Sequence, residues 1–262
     1  MADERKKAVL VVSFGTSFEQ TRKKTIDRIE DDIRDALPDF RVYRAWTSGV
    51  IIRKLKKRDG IVTDTVPEAL SRMLSEGVRN LVVQPTHILN GIENDLMKEA
   101  VMQRAGEFES ISFGTPLLTS TEDTFDVVRA VMDELDTPGE GEALVFMGHG
   151  TEHYANCVYA ALDYTFKDMG YENVFIGTVE GYPGLSNVMR LLEKRRIKKV
   201  TLAPFMVVAG DHAVNDMSGG GPDSWKSLLE AEGYEVSCRL RGLGEYAGVR
   251  KMYVGHARGA AL

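Results

Sequence analysis

Cysteine is scarce. Cys157 and Cys238 are the only two in 262 residues, and they stand far apart with no CxxC or Cys/His spacing. Neither a disulfide framework nor a thiolate zinc site is therefore suggested, which fits a reducing compartment. Long apolar runs are missing too. Met1 to Lys7 is charged and leads straight into a short apolar strand, so neither a leader nor a membrane anchor is read, and no membrane partner is expected. The expected location is cytoplasmic, or periplasmic had a leader been removed ahead of Met1. An excess of positive charge is also lacking: the formal net charge is −6, which gives no general attraction for polyphosphate and argues against nucleic acid as a partner. Finally, there is no GxxxxGK followed by Ser or Thr. The glycine clusters Gly148–Gly150 and Gly219–Gly221 do not match the dinucleotide fingerprint, so neither ATP nor NAD is expected.

What is present is an alternation of short β-branched runs and amphipathic stretches, with 43% apolar residues to build cores from. Ala8 to Val12 ends in Ser13-Phe14-Gly15-Thr16 and reads as strand, tight loop, helix. Ser17 with Gln20 predicts a capping box, followed by Ile26, Ile29 and Ile33 at helical spacing. A second strand from Val42 leads to Trp46-Thr47-Ser48-Gly49 and the basic segment Arg53 to Arg58. Thr65 with Glu68 predicts another capped helix, and Leu81-Val82-Val83 a third strand before Pro85, His87, Asn90 and Gly91. Strands alternating with helices imply a parallel sheet.

Thr137 to Glu142 has linker composition, and after it the pattern restarts. AVLVVSFGT at 8–16 lies over ALVFMGHGT at 143–151, and Gln84-Pro85 with Gly91 lies over Ala203-Pro204 with Gly210. The expectation is an α/β chain of two parallel-sheet halves related by internal duplication. Residues 1–136 form one half and 137–262 the other, the last helix being free to pack back on the first.

Ligands of open parallel sheets bind beyond the carboxyl ends of the strands. In the second half that rule selects His149 after the first strand, Glu180 after the second and His212 after the third. Two imidazoles and a carboxylate suit a borderline divalent ion such as Co²⁺, Ni²⁺, Fe²⁺ or Zn²⁺, and three protein ligands leave positions open for a substrate. A lone strand-end histidine is more often a hydrogen-bonded loop residue. The glycines on either side of His149 shift that balance, because they let the backbone turn and leave the ring unshielded. Asp211 or Asp216 could orient His212. His153, four residues beyond His149, is the next candidate ligand.

The segments LVVSFGTS (10–17), TSGVIIRKL (47–55) with KRDG (57–60), FMGHG (146–150) and VVAGDHAVNDM (207–217) followed by DSW (223–225) together resemble the sirohydrochlorin cobaltochelatases of the anaerobic pathway. These are class II chelatases related to ferrochelatase. The resemblance runs almost end to end. It implies two flavodoxin-like halves facing each other across a cleft that holds sirohydrochlorin. It also implies insertion of Co²⁺, as substrate metal, in anaerobic cobalamin biosynthesis. The family's two histidines and glutamate fall on His149, His212 and Glu180. Some relatives bind haem through an added histidine; His87 in QPTHILNG reads as a cleft residue instead, so haem is not expected.

A free tetrapyrrole carries two inner N–H protons in a nearly planar ring, so insertion needs strain, a base and a partly desolvated ion. The expected scheme has His149 and His212 holding Co²⁺ over the ring, one of them accepting a pyrrole proton, with Glu180 offsetting the ion's charge and relaying the second. Activity should fall as pH drops below neutral, because protons compete for the ligands. Sirohydrochlorin is rich in carboxylates, and Arg53 and Lys54, nearest the strand end, are the expected partners for them. Ser13, Thr16 and His87 are expected to line the other wall. Rival readings are iron or nickel insertion into the same ring, a tetrapyrrole or metal carrier, and a hydrolase, which the absence of a GxSxG elbow disfavours. The native metal, the proton acceptor and the oligomeric state, a homo-oligomer included, stay open.

Overall fold

The computed structural model describes residues 6–261. Contacts divide the chain into two units: one takes the described residues up to Thr119 and those from Val249, the other runs Ser120–Gly248.

The first unit contains β1 (Lys7–Ser13), α1 (Glu19–Lys24), α2 (Ile26–Ala36), β2 (Arg41–Trp46), α3 (Gly49–Asp59), α4 (Val66–Ser75), β3 (Asn80–Pro85), α5 (Ile92–Met102) and β4 (Ser110–Phe113). Its sheet is parallel, in the order β2-β1-β3-β4. Ala8 to Val12 are each 0% exposed, as expected of a central strand covered on both faces rather than on one. The second unit contains α6 (Thr121–Met132), β5 (Glu142–Gly148), α7 (Cys157–Asp168), β6 (Val174–Thr178), α8 (Leu185–Lys194), β7 (Lys199–Pro204), a π-helix at Ala213–Met217, α9 (Trp225–Ala231) and β8 (Glu235–Cys238). Its sheet is also parallel, in the order β6-β5-β7-β8. The repeat read from sequence extends to register. Ser13 pairs Trp46 as Gly148 pairs Thr178, and Val12 pairs Pro85 as Met147 pairs Pro204.

Local starts differ from the sequence expectation in one place. Ser17 and Gln20 do not form a capping box; α1 begins at Glu19 with Phe18 at its N-cap and no side-chain cap. The hydroxyl that meets the chain there is Thr16 Oγ1, which accepts from Phe18 N at 3.2 Å. The helix also breaks at Thr25, after which Ile26, Ile29 and Ile33 form the buried stripe of α2. Each of those isoleucines contributes about 1.5–3 kcal/mol by leaving water. At α4 the predicted pair does form, Glu68 Oε2 accepting from Thr65 N at 2.8 Å and from Thr65 Oγ1 at 2.7 Å.

The contact boundary precedes α6 rather than falling in the Thr137–Glu142 segment. The reason is the apolar face of α6, where Val127, Val128 and Val131 are buried within the second unit. Glu134 just beyond it binds Arg241 and accepts from Ala247 N at 3.1 Å. The last helix, α10 (Ala247–Ala261), is counted with the first unit from Val249 on. There Tyr253 is fully buried, its hydroxyl donating to Thr86 O at 2.9 Å, and Arg250 Nε meets Asp32 Oδ2 at 2.7 Å. Among the described residues no helix is long and apolar enough to cross a membrane.

Candidate metal centre

Three loops leave the carboxyl ends of neighbouring strands in the second sheet. β5 ends at Gly148, and His149 follows at once. β6 ends at Thr178, two residues before Glu180. β7 ends at Pro204, and its loop reaches the π-helix whose N-cap is His212. One ligand atom from each of His149, Glu180 and His212 can be chosen so that all lie within 4.8 Å of one another. No other such group of His, Cys, Asp or Glu occurs among the described residues. The two imidazoles meet edge to face, centroids 4.7 Å apart and planes at 90°, and Glu180 Oε2 lies 3.7 Å from His149 Nδ1.

Each ring makes a hydrogen bond through Nδ1. His149 Nδ1 lies 2.9 Å from Gly150 O, and His212 Nδ1 lies 2.6 Å from Asp216 Oδ2. A carbonyl and a carboxylate can only accept, so both Nδ1 atoms donate in these bonds, and Nε2 is the ring nitrogen they leave unengaged. Of the two acids flanking His212, Asp216 is thus the ring's partner. Asp211 accepts instead from Asn215 Nδ2 at 3.1 Å.

The glycines beside His149 are required sterically. Gly150 has φ +86°, and a Cβ there would fall 2.6 Å from Gly181 N. A Cβ on Gly148 would strike the ring of Tyr159 at 2.5 Å. Tyr159 is buried beneath the turn, which pushes its pKa up to about 12 by desolvation. The loops of His149 and Glu180 can approach this closely because no side chain stands between them. His153 does not join the cluster: its Nδ1 accepts from Ala155 N at 3.2 Å and its ring packs on Tyr154 at 4.2 Å, so it caps a turn.

The remaining candidates lie in the first unit, and the structure treats them differently. Ser13 is 1% exposed and its Oγ accepts from Thr86 Oγ1 at 2.9 Å; Thr16 is 5% exposed and engaged with Phe18 N. Both hydroxyls are turned to internal bonds and brace the strand end. Arg53 and Lys54 lie exposed on α3, and the Arg53 guanidinium folds back toward Gly49 at that helix's amino end, 3.1 Å from where a Cβ would stand. Arg53 has no carboxylate partner among the described residues. His87 follows β3, and both its ring nitrogens are buried with no hydrogen-bond partner among those residues. Burial pushes its pKa from the ordinary 6.5 down to about 4, so the ring is neutral near pH 7. A groove of about 310 Å³ lined by Glu142, Lys199, Thr201, Glu235 and Arg239 lies at the amino ends of β5, β7 and β8, the opposite edge from His149, Glu180 and His212.

Comparison with known proteins shows the family. The family model described as cobalt chelatase (CbiK) matches residues 7–261. The chain is 39% identical over 251 residues to a sirohydrochlorin cobaltochelatase of Salmonella typhimurium, covering 96% of this chain and 95% of that protein. It is 34% identical over 261 residues to the sirohydrochlorin cobaltochelatase CbiKC of Nitratidesulfovibrio vulgaris, covering 97% and 90%. Among solved structures, SirB from Bacillus subtilis, determined with Fe³⁺, aligns with a TM-score of 0.66 at 15% identity, over 98% of this chain and 96% of its own. CbiX, described as the terminal enzyme of siroheme biosynthesis in denitrifying bacteria, aligns with a TM-score of 0.55 at 15% identity, over 98% and 100%. At that identity the structures speak for the fold alone. The nearly full-length family match, with relatives above 30% identity along almost their whole length, makes this chain a member of the cobalt chelatase (CbiK) family.

Proposed function

We propose that the chain inserts Co²⁺ into sirohydrochlorin without a nucleotide cofactor, the cobalt-insertion step of anaerobic cobalamin biosynthesis, with His149, Glu180 and His212 as the ion's ligands. One observation carries the reading: three donor atoms from three different strand ends lie within 4.8 Å of one another. Two imidazoles and one carboxylate suit a borderline divalent ion, while leaving coordination positions for pyrrole nitrogens. The same donor set accepts iron and nickel; the cobalt chelatase family match and the names of the relatives favour cobalt.

The chemistry asks the residues for three things. The ion must be stripped of part of its water, which the three ligands do by replacing it. The inner pyrrole protons must leave, and the Glu180 carboxylate, or an imidazole whose ring nitrogen the ion has just left, would accept them. The substrate's carboxylates must be held, and Arg53 and Lys54 provide exposed cations for that, whereas the ring nitrogens of His87 are buried. A reducing, cytoplasmic setting accords with Cys157 and Cys238 remaining free thiols.

The test is a spectrophotometric assay in which sirohydrochlorin is offered Co²⁺, Fe²⁺ or Ni²⁺ separately. The expected result is conversion of the ring's absorption to that of the cobalt complex, abolished in His149→Ala with an unchanged far-UV circular dichroism spectrum. Binding of ring and ion without that conversion would make the chain a carrier, and full activity in His149→Ala would remove the ligand scheme.

A further inference from the structure

His149 and Glu180 sit on two separate loops, and neither residue lies in a regular element that could fix its position. The side chain that joins those loops is Asn156, at the amino end of α7. Its Oδ1 accepts from Thr151 N at 3.0 Å, and its Nδ2 donates to Tyr182 O at 2.6 Å. One amide thus spans from the stretch that carries His149 to the stretch that carries Glu180. Backbone bonds close the rest of the frame: Glu180 N donates to His149 O at 2.8 Å, and Thr178 N to Pro183 O at 2.7 Å. Gly181 lies flat against the amide, so that a Cβ there would fall 2.5 Å from Asn156 Oδ1.

An asparagine at a helix start ordinarily serves the helix, by capping its free N–H groups. Asn156 does not: its side chain makes no cap bond to α7. Both of its polar ends are spent on the loops. Only an amide offers a donor and an acceptor from one branch point, so neither aspartate nor leucine, though of similar size, could replace it.

We propose that Asn156 is a positioning residue for the metal centre, holding the His149 and Glu180 loops at the separation at which both reach one ion together with His212. The inference rests on the three residues being Co²⁺ ligands. Without the clamp the Glu180 loop is no longer held within reach of the ion, so the carboxylate drops out of the ligand set and the affinity falls with it. Residues that orient ligands typically contribute roughly 10- to 100-fold in metal affinity.

The experiment is a titration of the purified full chain with Co²⁺ alone, followed by the visible d–d bands, which report the ion's ligand set. Wild type is compared with His149→Ala, Glu180→Gln, Asn156→Ala, Asn156→Asp and Gly181→Ala. Asn156→Asp keeps the acceptor for Thr151 N but turns a carboxylate on the Tyr182 carbonyl. Gly181→Ala displaces the amide without altering it. Each of these three variants is expected to bind Co²⁺ roughly 10- to 100-fold more weakly and, at saturation, to give bands shifted toward those of Glu180→Gln. Should Asn156→Ala fail to fold, the other two decide. Folded variants with wild-type affinity, or with weakened affinity but wild-type bands at saturation, overturn the proposal. If wild type and His149→Ala bind Co²⁺ alike, the ligand reading has failed, and this inference with it.

Discussion

His87 illustrates how much a single side chain depends on its surroundings. A buried imidazole with no partner for either nitrogen costs about 1–3 kcal/mol per unsatisfied group, and it resists protonation down to about pH 4. The unfolded chain takes up that proton near pH 6.5, so between the two values the unfolded state binds more protons than the folded one. Stability contributed by the neutral ring is therefore complete above about pH 6.5 and is lost as pH falls toward 4, by on the order of 2–3 kcal/mol. Urea unfolding of wild type and His87→Gln at pH 7 and pH 4.5 checks this: the variant should lose less stability between the two. At the same scale, the meeting of His149, Glu180 and His212 was legible in the sequence, since each follows an apolar strand and strand ends converge. Which acid turns His212 was not legible. Asp211 and Asp216 are both near in sequence, and only the π-helix brings the second within 2.6 Å of the ring. Nor was the fate of Ser13 and Thr16. Both lie at a strand end, but whether a hydroxyl faces a ligand or a neighbouring strand is decided by packing.

At the scale of elements, hydrophobic spacing located the buried stripe of α2 but not its start. A Ser with Gln three residues on is a weak cue, and the chain between β1 and α2 follows Thr16 and the break at Thr25 instead. The α6 start, unread in the sequence, carries a reciprocal cap: Ser120 Oγ accepts from Asp123 N at 3.2 Å and Asp123 Oδ2 from Ser120 N at 2.7 Å. Ser120→Ala should lower stability by about 1 kcal/mol while leaving the Co²⁺ affinity unchanged, a difference that urea unfolding and metal titration read separately. The π-helix at Ala213–Met217 has no propensity signature, because a widened turn differs from an α turn only in which carbonyl each N–H finds.

For the whole molecule, a ligand that binds only the folded chain stabilises it by mass action. Co²⁺ at a hundred times its dissociation constant should add about 2.7 kcal/mol, seen as a rise in thermal midpoint that His149→Ala does not share. The absence of that rise in wild type would mean that no folded site holds the ion. The repeat of strand order, β2-β1-β3-β4 and then β6-β5-β7-β8, follows from the repeat in sequence, whose apolar runs and strand-end glycines recur in the same order. The sequence by itself determined the α/β class, the two sheets and the placing of His149, Glu180 and His212 at neighbouring strand ends. All of these follow from hydrophobic periodicity and from the geometry of parallel strands, which are local or follow directly from local pattern. Tertiary structure alone decided that α6 packs in the second unit and α10 largely in the first, that Asp216 rather than Asp211 holds His212, and that Asn156 ties two loops together. Each of those depends on segments distant along the chain, or on a particular turn of backbone, meeting at hydrogen-bond distance, and no pattern within one segment encodes that meeting.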